Sequence, residues 1–154
     1  MRSSLTAAMS PFAAGLVVAF LINTASLSAQ EKELRWEPAP AVLPPGAKMA
    51  VERGNPMETG EFVVRFSFPD GYQIPPHFHP TDEHITVLNG TFLAGMGDKL
   101  DMQMAKPLTE GDTLTMPAEM HHFAIARGET MVSVRSQGPF KLTYVNPKDM
   151  PRKP

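Results

Sequence analysis

The five histidines of this 154-residue chain lie in two short stretches. The first stretch holds His77, His79 and His84, and the second holds His121 and His122. Residues two positions apart in an extended chain project to the same face, so the rings of His77 and His79 can meet one ligand. Prolines on both sides of this pair restrict the backbone to extended conformations. The pattern therefore predicts a stiffly presented pair of imidazoles on one side of a strand.

Glu83 follows this pair within the reach of a turn. Imidazoles with a carboxylate are the donors by which a protein binds a divalent transition metal without sulfur. The chain has no cysteine, which excludes disulfides, thiolate metal sites and thiol nucleophiles. The alternative is that the histidines are isolated surface or core residues. Two histidine groups within one domain, with an acid beside the first, favour the metal site.

The elements that must position these side chains are strands. In residues 61–68, EFVVRFSF, every second residue from Phe62 onward is apolar, which predicts a half-buried strand. Further strands are predicted at residues 34–37, 48–53, 84–88, 91–96, 113–116, 123–126, 130–135 and 141–145. Glycine and proline turns separate them, and Asn89-Gly90 between two apolar runs predicts a short hairpin. Short strands at regular spacing, without an amphipathic helical pattern after residue 30, predict an all-β sandwich or small barrel.

The first histidine stretch carries a sequence motif that resembles the cupin superfamily. Residues 71–90 read GYQIPPHFHPTDEHITVLNG. The motif requires glycine, five residues, His-x-His, three or four residues, glutamate, six residues and glycine. Every fixed position matches.

The second cupin motif is matched in part by residues 111–126, GDTLTMPAEMHHFAIA. Gly111, Pro117 and His122 fit it, whereas Glu119 replaces a glycine and Ala126 replaces an asparagine. A positive backbone angle is costly for a residue other than glycine, so a turn of different construction is expected at Glu119. Its carboxylate is expected in solvent, or alternatively at the barrel mouth as an acid or base. Small residues at 124 and 126 would leave room for a ligand if their face lines the cavity.

The resemblance implies a conical jelly-roll β-barrel with one divalent transition metal per chain: Fe, Mn, Ni, Cu or Zn. Carried over by position, the metal ligands are His77, His79, Glu83 and His122. His121 would face the opposite side of its strand. His84 could take the place of Glu83 if four residues are counted after His79, but Glu83 keeps the spacing to the last glycine of the motif.

Two kinds of function fit such a site. The first is a metal-dependent enzyme of oxygenase, decarboxylase or isomerase type, acting on a small organic acid or phenolic compound. The second is a non-catalytic module that binds a metal or a small ligand, and a structural barrel with a vestigial site is a weaker third reading. A homodimer is also expected, as is common for cupins.

Five methionines lie in or near the segment between the motifs: Met96, Met102, Met104, Met116 and Met120. Thioethers are soft ligands, so a copper site built from methionine and histidine is conceivable. The favoured interpretation is that these side chains fill an irregular barrel interior.

Residues 1–29 differ in kind from the rest of the chain. Between Arg2 and Glu31 there is no charged residue, and residues 12–22 form an apolar run followed by small residues. This pattern predicts a signal peptide cleaved after Ala29 or at Ser28, and hence a periplasmic or secreted protein. The run is shorter than the roughly 20 residues of a spanning helix, which disfavours a membrane anchor.

The remaining sequence divides into an extended arm at 30–60, a barrel at 61–146 and a polar tail at 147–154. The arm holds five prolines together with apolar residues such as Trp36 and Val51, so it is expected to pack on a sheet. The net charge of −2, without a Lys/Arg-rich stretch, argues against a nucleic-acid partner.

Overall fold

The structure, a computed structural model, describes residues 33–152. It contains nine strands: β1 (Trp36–Pro38), β2 (Lys48–Arg53), β3 (Gly60–Phe68), β4 (Gln73–Phe78), β5 (Glu83–Met96), β6 (Lys106–Thr109), β7 (Thr113–Met116), β8 (His122–Gly138) and β9 (Thr143–Tyr144). A single 3₁₀ turn, Pro147–Asp149, follows, and the described residues hold no α-helix. The all-β prediction is confirmed. The predicted signal peptide lies outside the described residues.

The strands pair antiparallel throughout the described residues. The longest pairing joins the two long strands β5 and β8. The first half of β5 also pairs with β7 and its second half with β6. The first residues of β8 pair with β4, and its second half pairs with β3 along nine positions. Each long strand therefore shares its two halves between different neighbours, which curves the sheet around a common interior.

The predicted hairpin at Asn89-Gly90 is wrong, because β5 runs through this dipeptide without reversing. The register with β8 shifts on both sides of Asn89, and Gly90 has a φ of 76°. A Cβ at Gly90 would lie 2.3 Å from the carbonyl oxygen of Glu129 on the partner strand. The glycine therefore allows a close approach within a bulge, where the sequence suggests a turn.

The core lies on the inner face of this curved sheet. The alternation predicted for residues 61–68 is confirmed, since β3 buries Phe62, Val64, Phe66 and Phe68. The rings of Phe66 and Phe68 stack on each other, and Phe68 also stacks on Tyr72 and Phe92. Burial of each such side chain contributes about 1.5–3 kcal/mol.

The first two strands, which lie inside the predicted arm, belong to the same sheet as the barrel strands. β2 pairs with β3, and β1 pairs with β2 as the outer strand. The bounds predicted for β2, residues 48–53, agree with the structure. Within residues 33–152, no helix has the length and apolar character needed to cross a membrane.

Candidate metal centre

Four buried polar side chains meet inside the barrel. His77 lies near the end of β4, His79 follows that strand, Glu83 begins β5 and His122 begins β8. The backbone of His77 is paired directly with that of His122, so β4 and β8 present these two rings side by side. All four residues are at most 9% exposed. Ionisable side chains are seldom buried to this extent unless they are paired or bind a ligand.

The ligand atoms of these residues lie close together. The three histidines offer ring nitrogens that are all within 4.8 Å of one another. Oε2 of Glu83 is 3.7 Å from Nε2 of His79 and 3.7 Å from Nε2 of His122. These separations place four donor atoms around one small volume.

The outer nitrogen of each ring is held by a backbone carbonyl. Nδ1 lies 2.7 Å from the oxygen of Pro75 in His77, 2.6 Å from that of Lys141 in His79, and 2.8 Å from that of Met120 in His122. A carbonyl can only accept, so each Nδ1 carries the proton and each Nε2 keeps its lone pair. This is the hydrogen-bond arrangement typical of metal-binding histidines.

The inner nitrogens of His79 and His122 are buried and have no hydrogen-bond partner. A buried polar atom without a partner costs about 1–3 kcal/mol, so two of them at one point need an explanation. A cation bound between the rings and Glu83 would use both lone pairs. The donor set therefore fits a metal ion.

The environment keeps the ring of His77 neutral and the carboxylate of Glu83 ionised. Burial, reinforced by the neighbouring rings of His122 and His79, lowers the pKa of His77 from 6.5 to about 3. Burial alone would raise the pKa of Glu83, but the electrostatic influence of the nearby rings of His122, His79 and His77 lowers it below its ordinary value. At neutral pH the centre offers lone pairs on His77 and one negative charge on Glu83.

The other two histidines lie elsewhere. Nδ1 of His84 is 3.0 Å from Oγ1 of Thr115, and Nδ1 of His121 is 2.6 Å from Oδ1 of Asp98. Both contacts are on the exposed side of their strands. The alternative in which His84 replaces Glu83 therefore has no support in the positions of these side chains.

The enclosed space beside the four residues is small. It has a volume of about 30 Å³ and is lined mainly by apolar side chains, among them Phe66, Phe140 and Ala124. Such a volume holds about two water molecules. Ala124 borders it as the sequence suggests, whereas Ala126 does not.

The turn that precedes His122 keeps the left-handed backbone of a glycine, so the expectation of a different turn is wrong. Glu119 has a φ of 62°, and its side chain is exposed rather than at the cavity. Its N–H donates to the carbonyl oxygen of His79 at 2.8 Å. The next N–H upstream, that of Ala118, donates to Asp82 at 2.8 Å. These bonds hold the turn against the segment that carries His79 and Glu83, which explains why the strained conformation is retained.

Sequence reasoning missed the groups that orient the rings. Lys141 is 62 residues from His79, and its contribution is a backbone carbonyl, which has no signature in the sequence. Phe140 packs beside the ring of His79 with centroids 5.6 Å apart. The turn contact of Asp82 could have been suspected from its place next to Glu83, but no pattern indicates its partner.

The interpretation of the methionines as interior filling is wrong for most of them. Met116 is 1% exposed, but Met96, Met102, Met104 and Met120 are 41–62% exposed.

Comparison with known proteins places this geometry in context. A sequence profile of one family, described as Cupin, matches residues 55–139. The germin-like protein subfamily 1 member 7 of Arabidopsis thaliana is 34% identical over 95 residues, which are 56% of this chain and 42% of that protein. The chain thus spans well under half the length of this curated relative.

Solved structures agree on the architecture. The polyketide cyclase RemF from Streptomyces resistomycificus superimposes with a TM-score of 0.61 at 18% identity, covering 79% of this chain and 86% of that one. An oxalate oxidase superimposes with a TM-score of 0.52 at 21% identity, covering 71% and 60%. At such identities the likeness concerns the fold alone, and it confirms the predicted jelly roll.

Proposed function

This chain belongs to the cupin family, and on that basis we propose that His77, His79, Glu83 and His122 hold one divalent transition metal. The observation that carries the proposal is the pair of buried Nε2 atoms without a partner, 3.7 Å from a carboxylate oxygen. Fe, Mn, Ni, Cu and Zn all accept imidazole with carboxylate. The chain would use the backbone carbonyls behind the rings to keep each Nε2 directed inward.

We further propose a metal-dependent enzyme of oxygenase, decarboxylase or isomerase type. Four protein donors leave two positions of an octahedral ion for a ligand, and the metal when bound supplies Lewis acidity or a dioxygen-binding centre. The chain's own part is to exclude bulk water with the apolar wall around the site and to keep Glu83 ionised.

The cavity narrows the choice of substrate. A volume of about 30 Å³ is less than an organic substrate occupies, so wall residues such as Phe140 would have to move, and a small acid would displace fewer of them than a phenolic ring. An oxalate oxidase is among the structural neighbours, and oxalate is an acid of this small class. We therefore expect a small carboxylic acid rather than an aromatic compound.

The same small cavity favours a second candidate, a binding module without turnover. A closed site with room for about two waters can hold a metal and its water ligands and need admit nothing else.

Metal analysis tests the centre itself. Protein purified anaerobically should contain about one divalent transition-metal ion per chain at the buried centre, and His79→Ala should lose this ion because one of its four donors is removed. His121→Ala is the matched control, since this histidine faces outward. Equal metal losses in the two variants would refute the assignment.

Turnover separates the two candidates. The metal-loaded protein is supplied with a panel of small carboxylic acids while oxygen uptake and carbon dioxide release are recorded, and product analysis detects isomerisation. Turnover that disappears in His79→Ala supports the enzyme. Metal retention without turnover of any acid supports the binding module.

We also propose that the protein is exported. The support is the uncharged, apolar sequence that precedes Glu31. Mass spectrometry of protein from the source cell should find a chain that begins near Gln30. Full-length chain in the soluble cytoplasmic fraction would contradict export.

A homodimer is the final part of this proposal. Light scattering at micromolar concentration should give twice the mass of the mature chain, and a monomer would refute the dimer without affecting the metal centre.

A further inference from the structure

We propose that Met96, Met120 and His121 form a second metal site, at the exposed rim of the barrel, that binds a soft monovalent ion of the Cu(I) class. This site is separate from the buried centre and goes beyond the function proposed above. Its donors are two thioethers and one imidazole, whereas the buried centre offers nitrogen and oxygen.

Strand pairing brings these residues to one place. Met96 is the last residue of β5 and lies opposite His122, so it is on the inner face of the sheet but at its rim, beyond the last residue that borders the cavity. The N–H of Gly97 donates to the carbonyl oxygen of His121 at 2.9 Å, which ties the end of β5 to the turn that carries Met120. All three side chains border one open surface depression.

The ring of His121 is already oriented for a ligand. Nδ1 bonds to Oδ1 of Asp98 at 2.6 Å, so the carboxylate accepts from Nδ1–H and leaves the lone pair on Nε2. One face of the ring stacks on Phe78, with centroids 5.1 Å apart and planes 27° apart. A carboxylate behind a histidine, with the ring held in plane, is the arrangement that raises the basicity of a metal ligand.

The two methionines are exposed beside this ring. Met96 is 44% exposed and Met120 is 41% exposed, although thioether side chains more often fill cores. Exposure alone does not indicate a metal site, because four other methionines are more exposed: Met57, Met102, Met104 and Met150. What distinguishes Met96 and Met120 is that they share their depression with an oriented imidazole.

Donor chemistry selects the ion. Thioethers are soft donors that select soft ions such as Cu(I) over hard ions such as Mn(II), which prefer oxygen. The nearby carboxylates of Asp98 and Glu119 supply negative charge around a monovalent cation. The two sites therefore differ in the metals they accept.

The test uses the mature-length protein labelled with ¹³C at the methionine methyl groups, with the buried centre first loaded with Zn(II). Ag(I) serves as the redox-inert probe for Cu(I) and is titrated to one equivalent. We expect the methyl signals of Met96 and Met120 to shift, and those of Met57, Met102 and Met150 to stay in place. Shifts centred on Met102 and Met104, or spread evenly over all exposed methionines, would overturn the proposal.

Matched variants give the size of the effect. Met96→Leu and Met120→Leu should each weaken Ag(I) binding about tenfold or more, and Asp98→Ala about tenfold through His121. Met102→Leu is the control and should leave the Ag(I) affinity unchanged. Equal affinity in all four variants would refute the site.

The buried centre is tested independently. His122→Ala should keep the Ag(I) response while losing the divalent metal, and His121→Gln should do the reverse. Loss of both ions in either variant would contradict the separation of the two sites.

Discussion

His121 and His122 are neighbours in sequence, but their surroundings have nothing in common. His122 is 3% exposed, and its inner nitrogen has no partner except a carboxylate at 3.7 Å. His121 lies on the outer side, with Asp98 at one nitrogen and Phe78 against its ring. A step of one residue along an extended chain reverses the face, and here it exchanges an apolar interior for water.

Glu83 and His84 repeat the contrast at the start of β5. Glu83 reaches the buried histidines, whereas His84 bonds to Thr115 on the exposed side. Residue type alone therefore does not identify a ligand in this protein, since an outward histidine adjoins an inward carboxylate. The face of the strand on which a residue lies separates the inward Glu83 from the outward His84.

The largest effect is expected at His122. With metal at about 100 times its dissociation constant, binding should stabilise the native protein by about 2.7 kcal/mol. His122→Ala should abolish this gain, because affinity falls by more than the 10–100-fold lost with an orienting group alone. The measurement is the difference in Tm with and without metal, which cancels the cost of the cavity. His121→Ala should keep the full difference in Tm between the metal-bound and metal-free protein. A reduced difference in that variant would contradict the contrast between His121 and His122.

A pH effect on the metal-free protein should be next in size. The unfolded chain protonates residue 77 near pH 6.5, whereas the folded chain does so only near pH 3. The unfolded state therefore binds more protons in this window, and the free energy of unfolding should fall by up to about 1.4 kcal/mol for each pH unit lowered.

This slope is measured by urea denaturation between about pH 6.5 and pH 5, above the range in which Glu83 takes up a proton. His77→Gln should flatten it, and His121→Gln should not. An unchanged slope in His77→Gln would show that the buried ring is not its origin.

Glu83→Gln should have a smaller effect than His122→Ala. The amide keeps an oxygen donor but loses the negative charge, so metal affinity should fall on the order of tenfold. His84→Gln is the matched control and should bind metal as the native protein does. Isothermal titration calorimetry measures the metal affinity of both variants. A larger loss of affinity in His84→Gln would show that His84, and not Glu83, binds the metal.

The smallest effect is expected at the turn before the two histidines. Glu119→Gly keeps the left-handed conformation but removes its steric cost of about 1–2 kcal/mol, against a backbone entropy loss of about 0.5–1 kcal/mol for glycine. The free energy of unfolding should therefore rise by about 0.5–1 kcal/mol, with metal affinity unchanged. Ala118→Gly, at a residue without a positive φ, should give no such gain. Lower stability in Glu119→Gly would mean that the exposed carboxylate has a stabilising contact.

The sequence was informative where a local rule acts alone. Alternation in residues 61–68 predicted the buried face of β3, because a strand against a core allows no other reading. The spacing of residues 71–90 led to the family, since several fixed positions coincide.

Local rules did not predict the conformation where contacts between distant segments override the local preference of the sequence. Asn89-Gly90 has the composition of a turn, but pairing with β8 on both sides extends the strand through it. Glu119 has a low intrinsic preference for its backbone conformation, yet its hydrogen bond to the carbonyl of His79 holds it there. The exposure of the methionines was also mispredicted, because it depends on which strand ends meet in the folded chain.

The hydrogen bond between His79 and the carbonyl of Lys141 links a proposed ligand of the first motif to a segment made 62 residues later. The same later segment pairs with β4, where Tyr144 lies opposite His77, and Val145 donates to the carbonyl of Pro76. During synthesis, the ring of His79 exists long before the backbone carbonyl that orients it. Metal loading at the proposed centre would therefore depend on a chain that has been completed through β9, and a product interrupted before residue 141 would carry the histidines without that carbonyl.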